Sequence, residues 1–463
     1  MNFKIEETKF IDKTYNILDF GAKSDVKFNN QKAIQMAIDE CNKNGGGMVL
    51  IPNGFYLTGP ISIKSNVNFH LDKDAFIKFT KSYEEYPLHF TEYEGIKRIR
   101  AISPITIENQ ENVAITGEGV IDGSGDLWRG IKKFKVTEKK WNNLLKISSY
   151  VLPSNDGGIW APSKEYYDGV LAGEPDYNDP NVLEEARKYY SVFRPVMVSI
   201  VKSNKILLKD TTFTNSPAWN IHPLFTTNFI MDNCKIRNES YAQNGDGIDL
   251  ESCKNAEIKN CIFEVGDDGI CLKSGKNKEA RKTKFPTENV YIHDCKVYGA
   301  HGGFVIGSEM SRGIKNVTIE NCIFSGTDIG LRFKSAKERG GVVENININN
   351  IYMSEIINEA IIFDMGYKLV NIEATGENKL VDDEEHPIFQ NINIDNISCD
   401  KAKMALKING LPSLNVKDIK ISNSTICANK GIDLKNCQNI SLINTNIEED
   451  GINKLYENEI FNA

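Results

Sequence analysis

The chain of 463 residues is 40% apolar and 25% charged, which is typical of a folded globular protein and not of a disordered one. Its formal charge of −8 argues against a nucleic-acid-binding surface, which needs an excess of basic residues. It has neither a run near the roughly 18 apolar residues of a membrane span nor an apolar leader at its start, so we expect no membrane partner and a cytoplasmic location. A secreted chain whose leader had been removed would have the same sequence.

The first predicted element is a helix near the N-terminus. Asn29-Asn30 offers an N-cap, and the stretch ends at Asn44 and three glycines. Between them, apolar residues follow at helical spacing: Ala33, Ile34, Ala37, Ile38 and Cys41. Because an open sheet needs its end covered, we expect this helix, within a cap of about residues 17–60, to cover the first strands.

Residues 128–193 interrupt a chain that is repetitive on both sides. The stretch has no repeat and is marked by its aromatic residues, Trp128, Trp141, Trp160, Tyr166 and Tyr167. The repetition resumes at Val196. We therefore predict an insertion that lies beside a single domain spanning residues 1–463.

A short strand that ends in Asn or Asp recurs from residue 230 onward. The next position is occupied in turn by Cys234, Cys261, Cys295, Cys322, Ile351, Ile397 and Ser424. The spacings are 27, 34, 27, 29, 46 and 27 residues, shorter in their base period than the about 40–45 residues of a propeller blade, and a leucine-rich pattern is absent. The sequence therefore predicts an all-β fold, a single-stranded right-handed parallel β-helix capped by the N-terminal helix.

Most of the ten cysteines fall inside this apolar strand pattern. Recurring thiols at one strand position are typical of free, buried cysteines and not of disulfides. We expect them to stack inside the coil, while the adjoining Asn and Asp side chains hydrogen-bond along a turn.

Three carboxylates come together when the second strand of each coil is aligned on its glycine. Asp246 and Asp268 each stand one residue before that glycine, so they should be neighbours in consecutive coils, about 4.8 Å apart in backbone spacing. Asp267 and His301 share the position two residues before it. A single such motif is an ordinary turn sequence, but clustered carboxylates repel one another and so indicate a functional site.

The chemistry that suits such a cluster is glycoside hydrolysis. A protonated acid donates to the leaving oxygen while an ionised partner activates water. Crowding by its two neighbours would raise the pKa of Asp267 and suit it to the role of the acid. Arg332 and Lys334, two residues apart in one strand, should project from one face and neutralise a substrate carboxylate, which indicates a uronic acid.

With these motifs, the chain resembles glycoside hydrolase family 28, the polygalacturonase family, and in particular its bacterial exo-acting members. Four family motifs occur in order: Asn-Gly-Asp at 244–246 for Asn-Thr-Asp, Gly-Asp-Asp at 266–268, Ala-His-Gly at 300–302 for Gly-His-Gly, and Arg-Phe-Lys at 332–334 for Arg-Ile-Lys. The segments 19–23 and 45–54 are also similar. The resemblance implies a pectin-lyase-like solenoid that hydrolyses α-1,4-linked galacturonate with inversion and without a metal or other cofactor. Asp267 would be the acid, and Asp246 with Asp268 would hold the attacking water.

The resemblance also implies contacts to the substrate. His301 would tune the acid or bind sugar, and Tyr367 is similar to a family tyrosine near the bound sugar. The segment 216–223 would place Trp219 and His222 in the cleft, although a buried core position is an equal alternative for the tryptophan. Lys273 is a further candidate for substrate binding.

The expected partner is oligo- or polygalacturonate, and we expect a monomer or a weak homo-oligomer. If the insertion closes one end of the cleft, attack would be confined to a chain end. The alternatives are a rhamnogalacturonan, xylogalacturonan or rhamnoside hydrolase, a pectate lyase that holds Ca²⁺ on the three aspartates, and a non-catalytic carbohydrate-binding β-helix.

Overall fold

The computed structural model describes residues 3–366 and 386–463 of the chain. The helices are α1 (Gln31–Lys43), α2 (Glu138–Ile147), α3 (Lys164–Ala172), α4 (Val182–Ala186) and α5 (Asn277–Arg281). The strands before the insertion are β1 (Thr14–Asn16), β2 (Asp25–Asn29), β3 (Gly47–Ile51), β4 (Gly54–Thr58), β5 (Ile61–Ser62), β6 (Val67–Leu71), β7 (Ala75–Phe79), β8 (Leu88–Tyr93), β9 (Ile96–Ala101), β10 (Ile105–Glu108), β11 (Glu111–Thr116) and β12 (Val120–Asp122).

The insertion contains β13 (Ile131–Lys132), β14 (Val151–Leu152) and β15 (Ile159–Trp160). The strands that follow it are β16 (Val198–Val201), β17 (Asn204–Lys209), β18 (Thr212–Thr214), β19 (Ile221–Leu224), β20 (Thr227–Asp232), β21 (Lys235–Arg237), β22 (Ile248–Glu251), β23 (Lys254–Lys259), β24 (Ile262–Glu264), β25 (Asp268–Lys273), β26 (Thr287–His293), β27 (Lys296–Tyr298), β28 (Gly302–Ile306), β29 (Ile314–Ser325), β30 (Leu331–Lys334), β31 (Val342–Ser354), β32 (Glu359–Asp364), β33 (Ile388–Asn409), β34 (Val416–Ser422), β35 (Thr425–Lys435), β36 (Cys437–Glu449) and β37 (Ile452–Phe461).

The repeat folds as successive turns of one coil. Within the described residues, 32 strands form a single sheet whose pairings join strands one coil apart, for example β22 with β25 and β25 with β28. These pairings are parallel except at the C-terminal end, where β37 runs antiparallel to β36. The predicted right-handed parallel β-helix is confirmed.

Like residues stack over like residues inside the coil. Cys234, Cys261, Cys295 and Cys322 are buried at successive levels, and Ile351 continues the column above the last of them. All ten cysteines are free and nine of them are buried, as the sequence predicted. Burial raises the pKa of the Cys261 thiol well above its ordinary value, so this column is an apolar and unreactive part of the core.

Each coil turns at an Asn or Asp with a left-handed backbone. The φ angles of Asn321, Asn350 and Asn396 are 56°, 52° and 54°, a region that a short polar side chain tolerates. The Asn350 amide donates to Asn321 Oδ1 at 2.7 Å, and the Asn396 amide donates to Asn350 Oδ1 at 3.3 Å. This ladder repeats the turn at the same place and confirms the predicted hydrogen-bonded series.

Helix α1 packs beside the first coils, near β3, β5 and β6. Its buried residues are the five that the apolar spacing identified. Asn30 stands at the N-cap position, but its side chain bonds to the backbone of Lys23 and Leu57 instead of to the helix. Asn29 Oδ1 accepts a hydrogen bond from the backbone of Gln31, so Asn29 supplies the local turn at the start of the helix.

Two additions lie outside the coil. The insertion forms α2, α3, α4 and the antiparallel sheet β13–β15–β14, with a small core of its own around Trp141 and Trp160. Strands β8 and β9 form an antiparallel hairpin that the sequence did not indicate. Among residues 3–366 and 386–463, no helix has both the length and the apolar character needed to cross a bilayer.

Candidate active site

The register of three neighbouring strands brings the predicted carboxylates together. Ile248 of β22 pairs with Ile270 of β25, so Asp246 lies opposite Asp268. Asp268 pairs with Gly302 of β28, which places Asp267 opposite His301. Oxygen atoms of the three carboxylates lie within 4.8 Å of one another. The predicted register is therefore confirmed.

The two predicted cations reach this cluster across an intervening coil. Lys334 Nζ lies 2.6 Å from Asp268 Oδ2, and Arg332 Nη1 lies 3.4 Å from Asp268 Oδ1. Strand β28 lies between β25 and β30, and it presents Gly302 opposite Asp268. Because glycine has no side chain, the arginine and lysine side chains can extend over this coil to the carboxylate.

The pKa values of two carboxyls in the cluster are shifted in opposite directions. Burial alone would raise the pKa of Asp268, which is 2% exposed, but Lys334 and Arg332 hold that pKa well below its ordinary value. Burial, followed by the nearby Asp249, raises the pKa of Asp246 well above its ordinary value. These opposite pKa shifts favour the proton on Asp246 and the negative charge on Asp268.

The raised pKa of Asp246 was not predicted from the sequence, which singled out Asp267 instead. The physical reason is burial, because Asp246 is 3% exposed and lies beside a further buried carboxyl, Asp249. Oδ1 of Asp246 has no hydrogen-bond partner among the described residues.

Asp267 and His301 are the more accessible members of the site. Asp267 Oδ2 accepts a hydrogen bond from the backbone of Asn244 at 3.1 Å, and its Oδ1 accepts one from the backbone of Asp268 at 3.1 Å. The His301 side chain is 32% exposed, and its backbone donates to the Asp267 carbonyl at 2.9 Å. Burial lowers the pKa of His301, and Lys135 acts in the same direction while Asp267 opposes it.

Sequence reasoning missed two cations at this site. Lys135, from the insertion, places Nζ 2.8 Å from His301 Nε2 and donates to the Gly266 carbonyl at 2.9 Å. Arg194 donates to Asn244 Oδ1 at 2.7 Å and so fixes the segment that leads to Asp246. Lys135 belongs to a lysine-rich run at 132–140, but nothing in that run shows which of its side chains reaches the coil.

Three predicted substrate contacts are buried under the hairpin instead. Trp219 and His222 are 2% exposed and Lys273 is 5% exposed. Trp219 stacks on Tyr93 of β8 at 4.4 Å between ring centroids, and Lys273 Nζ lies 3.7 Å from the Trp219 ring. Trp219 therefore takes the buried position that was its equal alternative, and His222 and Lys273 are also buried and do not line an open cleft in this structure.

The buried layer has its own ion pairs. Lys273 Nζ lies 3.0 Å from Asp249 Oδ1 and 3.7 Å from Glu309 Oε2, and His222 Nε2 lies 2.9 Å from Glu251 Oε2. Burial raises the pKa of Asp249 to about 6 despite the neighbouring lysine. These partners explain how a lysine and a histidine can be buried here.

The predicted contact Tyr367 lies outside the described residues. The other predicted site residues, three aspartates, His301, Arg332 and Lys334, lie together. This arrangement offers one accessible carboxyl, one buried carboxyl whose pKa is raised, one buried carboxylate held by two cations, and an imidazole.

Comparisons with known proteins show which families the chain resembles. Glycosyl hydrolases family 28 matches residues 184–383, which contain all four motifs, and a second family, rhamnogalacturonase A/epimerase, pectate lyase-like, matches residues 14–86. The chain is 26% identical over 421 residues to a Vitis vinifera protein named "Probable polygalacturonase", covering 89% of this chain and 74% of that protein. It is 28% identical over 368 residues to the exo-poly-alpha-D-galacturonosidase of Dickeya chrysanthemi, covering 78% of this chain and 58% of that enzyme.

Among solved structures, a hyperthermoactive exopolygalacturonase from Thermotoga maritima superposes with a TM-score of 0.77 at 29% identity, covering 99% of this chain and 97% of that one. Neither family match reaches residues 87–183, which include the hairpin and most of the insertion.

Proposed function

Because the chain belongs to glycosyl hydrolases family 28, we propose that it hydrolyses α-1,4-galacturonosyl linkages of polygalacturonate and acts from a chain end. The observation that carries the proposal is the packing of Asp246, Asp267 and Asp268 within 4.8 Å, with Lys334 and Arg332 on the last of them. A non-catalytic β-helix would gain nothing from three crowded carboxyls, because their repulsion costs stability. The 29% identical, nearly full-length Thermotoga exopolygalacturonase supports the substrate class.

The proposed reaction divides the work among the three carboxyls. Asp267, the most accessible, donates its proton to the glycosidic oxygen as the bond from that oxygen to the anomeric carbon breaks. A water molecule forms the new bond to the anomeric carbon and gives its proton to the ionised Asp268. The unpartnered Oδ1 of Asp246 can accept the second hydrogen bond of that water and so orient it.

A uronate at the cleavage site would meet positive charge. The Arg332 side chain is 17% exposed beside Asp268, so its guanidinium can bind a substrate carboxylate while it still contacts the aspartate. A neutral sugar would offer this guanidinium no opposite charge. The substrate class therefore rests on Arg332 and Lys334 together.

The exo mode is supported by the β8–β9 hairpin, which covers the coil next to the three aspartates. The hairpin tip packs so closely on the ends of β22 and β25 that a Cβ at Gly95 (φ 69°) would meet Gly275 Cα at 2.2 Å. The Tyr93 ring stacks on Trp219 and covers it, and Trp219 lies on the coil before Asp246. A polymer lying along the sheet could not continue past this cover, so we infer that it enters by one end.

Inversion is the proposed stereochemistry, although the carboxylate separation by itself favours the opposite outcome. Oxygens within 4.8 Å are nearer to the about 5–5.5 Å between carboxyl groups of retaining glycosidases than to the about 6.5–9.5 Å of inverting ones. A retaining enzyme needs a carboxylate nucleophile, however, and Asp268 is held by two cations while burial raises the pKa of Asp246 and so favours its uncharged form. We therefore propose that water attacks directly.

A Ca²⁺-dependent lyase is the runner-up, because three aspartate oxygens lie close enough to share an ion. The residues fit a calcium ion poorly, since Lys334 Nζ already lies 2.6 Å from an Asp268 oxygen and would repel a cation there. The hydrolase assignment needs no such ion.

The test is the time course of products from galacturonate oligomers of defined length, with NMR of the first product. The proposal expects small saturated products from the earliest times, with the anomeric configuration inverted. Random internal fragments would refute the exo mode, and an unsaturated product that depends on Ca²⁺ would identify a lyase instead. Retained configuration would assign a nucleophile to one of the carboxylates.

A further inference from the structure

Lys135 connects the insertion to the catalytic cluster. It ends a short 3-10 turn, Lys133–Lys135, between β13 and α2. Its Nζ donates to the carbonyl of Gly266, which directly precedes Asp267, and lies 2.8 Å from Nε2 of His301. One ammonium group thus contacts both the segment that carries the proposed acid and the imidazole beside it.

This contact determines which nitrogen of His301 holds the proton. An ammonium has only donors, so the ring nitrogen facing it must accept. Nε2 of His301 is then unprotonated, and the proton of the neutral ring is on Nδ1, which lies 3.8 Å from Asp328 Oδ2. A protonated ring would place two cations 2.8 Å apart, which is unfavourable.

The groups around His301 act in opposite directions. Asp267, Asp268 and Asp328 favour the imidazolium, whereas burial and Lys135 favour the neutral ring. Burial lowers the pKa of Lys135, and Lys132 acts in the same direction, while the nearby carboxyls Asp267, Asp328 and Asp246 favour the charged ammonium. Without Lys135, three carboxyls would face His301 with no nearby cation from the insertion to balance them.

We propose that Lys135 is a positioning residue: it fixes His301 as the neutral, Nδ1-protonated ring and seats the insertion on the backbone next to Asp267. This inference rests on the proposed hydrolysis, in which Asp267 must hold a proton. An imidazolium beside Asp267 would favour its carboxylate form, which cannot serve as the acid. The insertion is then a part of the catalytic apparatus and not only a wall of the cleft.

The direct test is NMR of the histidine ring nitrogens in the whole chain, which has six histidines, with His301 assigned through His301→Gln. In the wild type, His301 is expected to be neutral with an unprotonated Nε2. In Lys135→Met it should gain its second proton at a higher pH than in the wild type. Lys135→Arg, which keeps the cation, should restore the neutral ring. Lys139→Met removes the same charge from an exposed position four residues away and should leave His301 unchanged.

Activity gives the second readout. In weakly acid buffer, Lys135→Met is expected to lower kcat/KM on a galacturonate oligomer roughly tenfold. This is a part of the full effect of positioned proton transfer, which contributes at least about 100-fold. The acid limb of its pH profile should move to higher pH. Adding Lys135→Met to His301→Gln should lower kcat/KM little further than His301→Gln alone.

The two readouts separate the inference from the function it rests on. An unchanged His301 titration in a folded Lys135→Met variant overturns the role of Lys135, whatever the activity. A wild-type protein inactive on galacturonate oligomers overturns the proposed function, while the NMR comparison still decides whether Lys135 controls His301. An equal loss of activity in Lys139→Met would assign the effect to general charge and refute a specific role.

Discussion

Replacing Lys334 by methionine tests how the cluster tolerates its buried charge. The substitution keeps a long side chain but removes the cation 2.6 Å from Asp268, in a pair whose side chains are 10% and 2% exposed. Removing one partner of a buried ion pair costs about 3–5 kcal/mol. Because Arg332 stays 3.4 Å from the other oxygen of Asp268, we expect a loss of unfolding free energy at the lower end of this range, about 3 kcal/mol.

The assay is denaturant unfolding near neutral pH, as a cycle with Asp268→Asn. Lys334 has a further interaction besides Asp268, so the single variant alone does not give the energy of the pair. The double variant removes both charges of the pair, so neither one stays buried alone. Its loss of unfolding free energy should therefore be about 2 kcal/mol smaller than the sum of the losses in the two single variants.

The pH dependence gives the sign of the effect. The pKa of Asp268 is depressed in the folded protein, so its contribution to stability is present above the ordinary aspartate pKa and is lost as the pH falls through the folded pKa. Lys334→Met raises that folded pKa. The difference in unfolding free energy between wild type and variant should therefore shrink as the pH falls through the raised value. Equal unfolding midpoints near neutral pH, or no coupling in the cycle, would refute the reasoning.

Two further predictions concern the coil itself. A thiol reagent should label at most Cys427 in the native protein, because the other nine cysteines are buried. The labelling should be slow, since burial and Glu448 raise the pKa of the Cys427 thiol. Labelling of several thiols before unfolding would contradict the stacked core. Asn350→Ala should lower the free energy of unfolding by about 2 kcal/mol, since it removes two ladder hydrogen bonds and leaves alanine at a φ of 52°. Asn349→Ala, an exposed neighbour at an ordinary φ, is the control, and equal losses in the two variants would show that the ladder contributes nothing.

The sequence predicted those features that the repeat itself determines. Once strands are stacked one coil apart, the shared glycine places Asp246 beside Asp268 and Asp267 beside His301, because side-chain positions in paired parallel strands follow from the register. The same logic placed Cys261 over Cys234 and the Asn turns in one line. No long-range information was needed, since each coil is related to the next by the same step.

The features that the sequence did not predict come from segments outside the repeat. Lys135 and His301 are 166 residues apart, and a segment without periodicity gives no register from which their contact could be derived. The burial of Trp219 likewise depends on the hairpin that covers it, and a strand pattern shows which side chains leave the sheet but not what packs on them. The opposite pKa shifts of Asp246 and Asp268 depend on burial and on which cations reach each carboxyl, and spacing alone does not provide either.

The most direct measurement is turnover of a galacturonate oligomer by Asp267→Asn, beside the wild type and Glu264→Gln. Glu264 is an exposed carboxylate three residues earlier, so its variant makes the same chemical change outside the cluster. We expect Asp267→Asn to fold normally and to lose at least about 100-fold in kcat, the scale of general-acid catalysis, while Glu264→Gln keeps wild-type activity. A folded Asp267→Asn variant that turns the oligomer over at the wild-type rate would contradict the assignment of this cluster as the hydrolytic site.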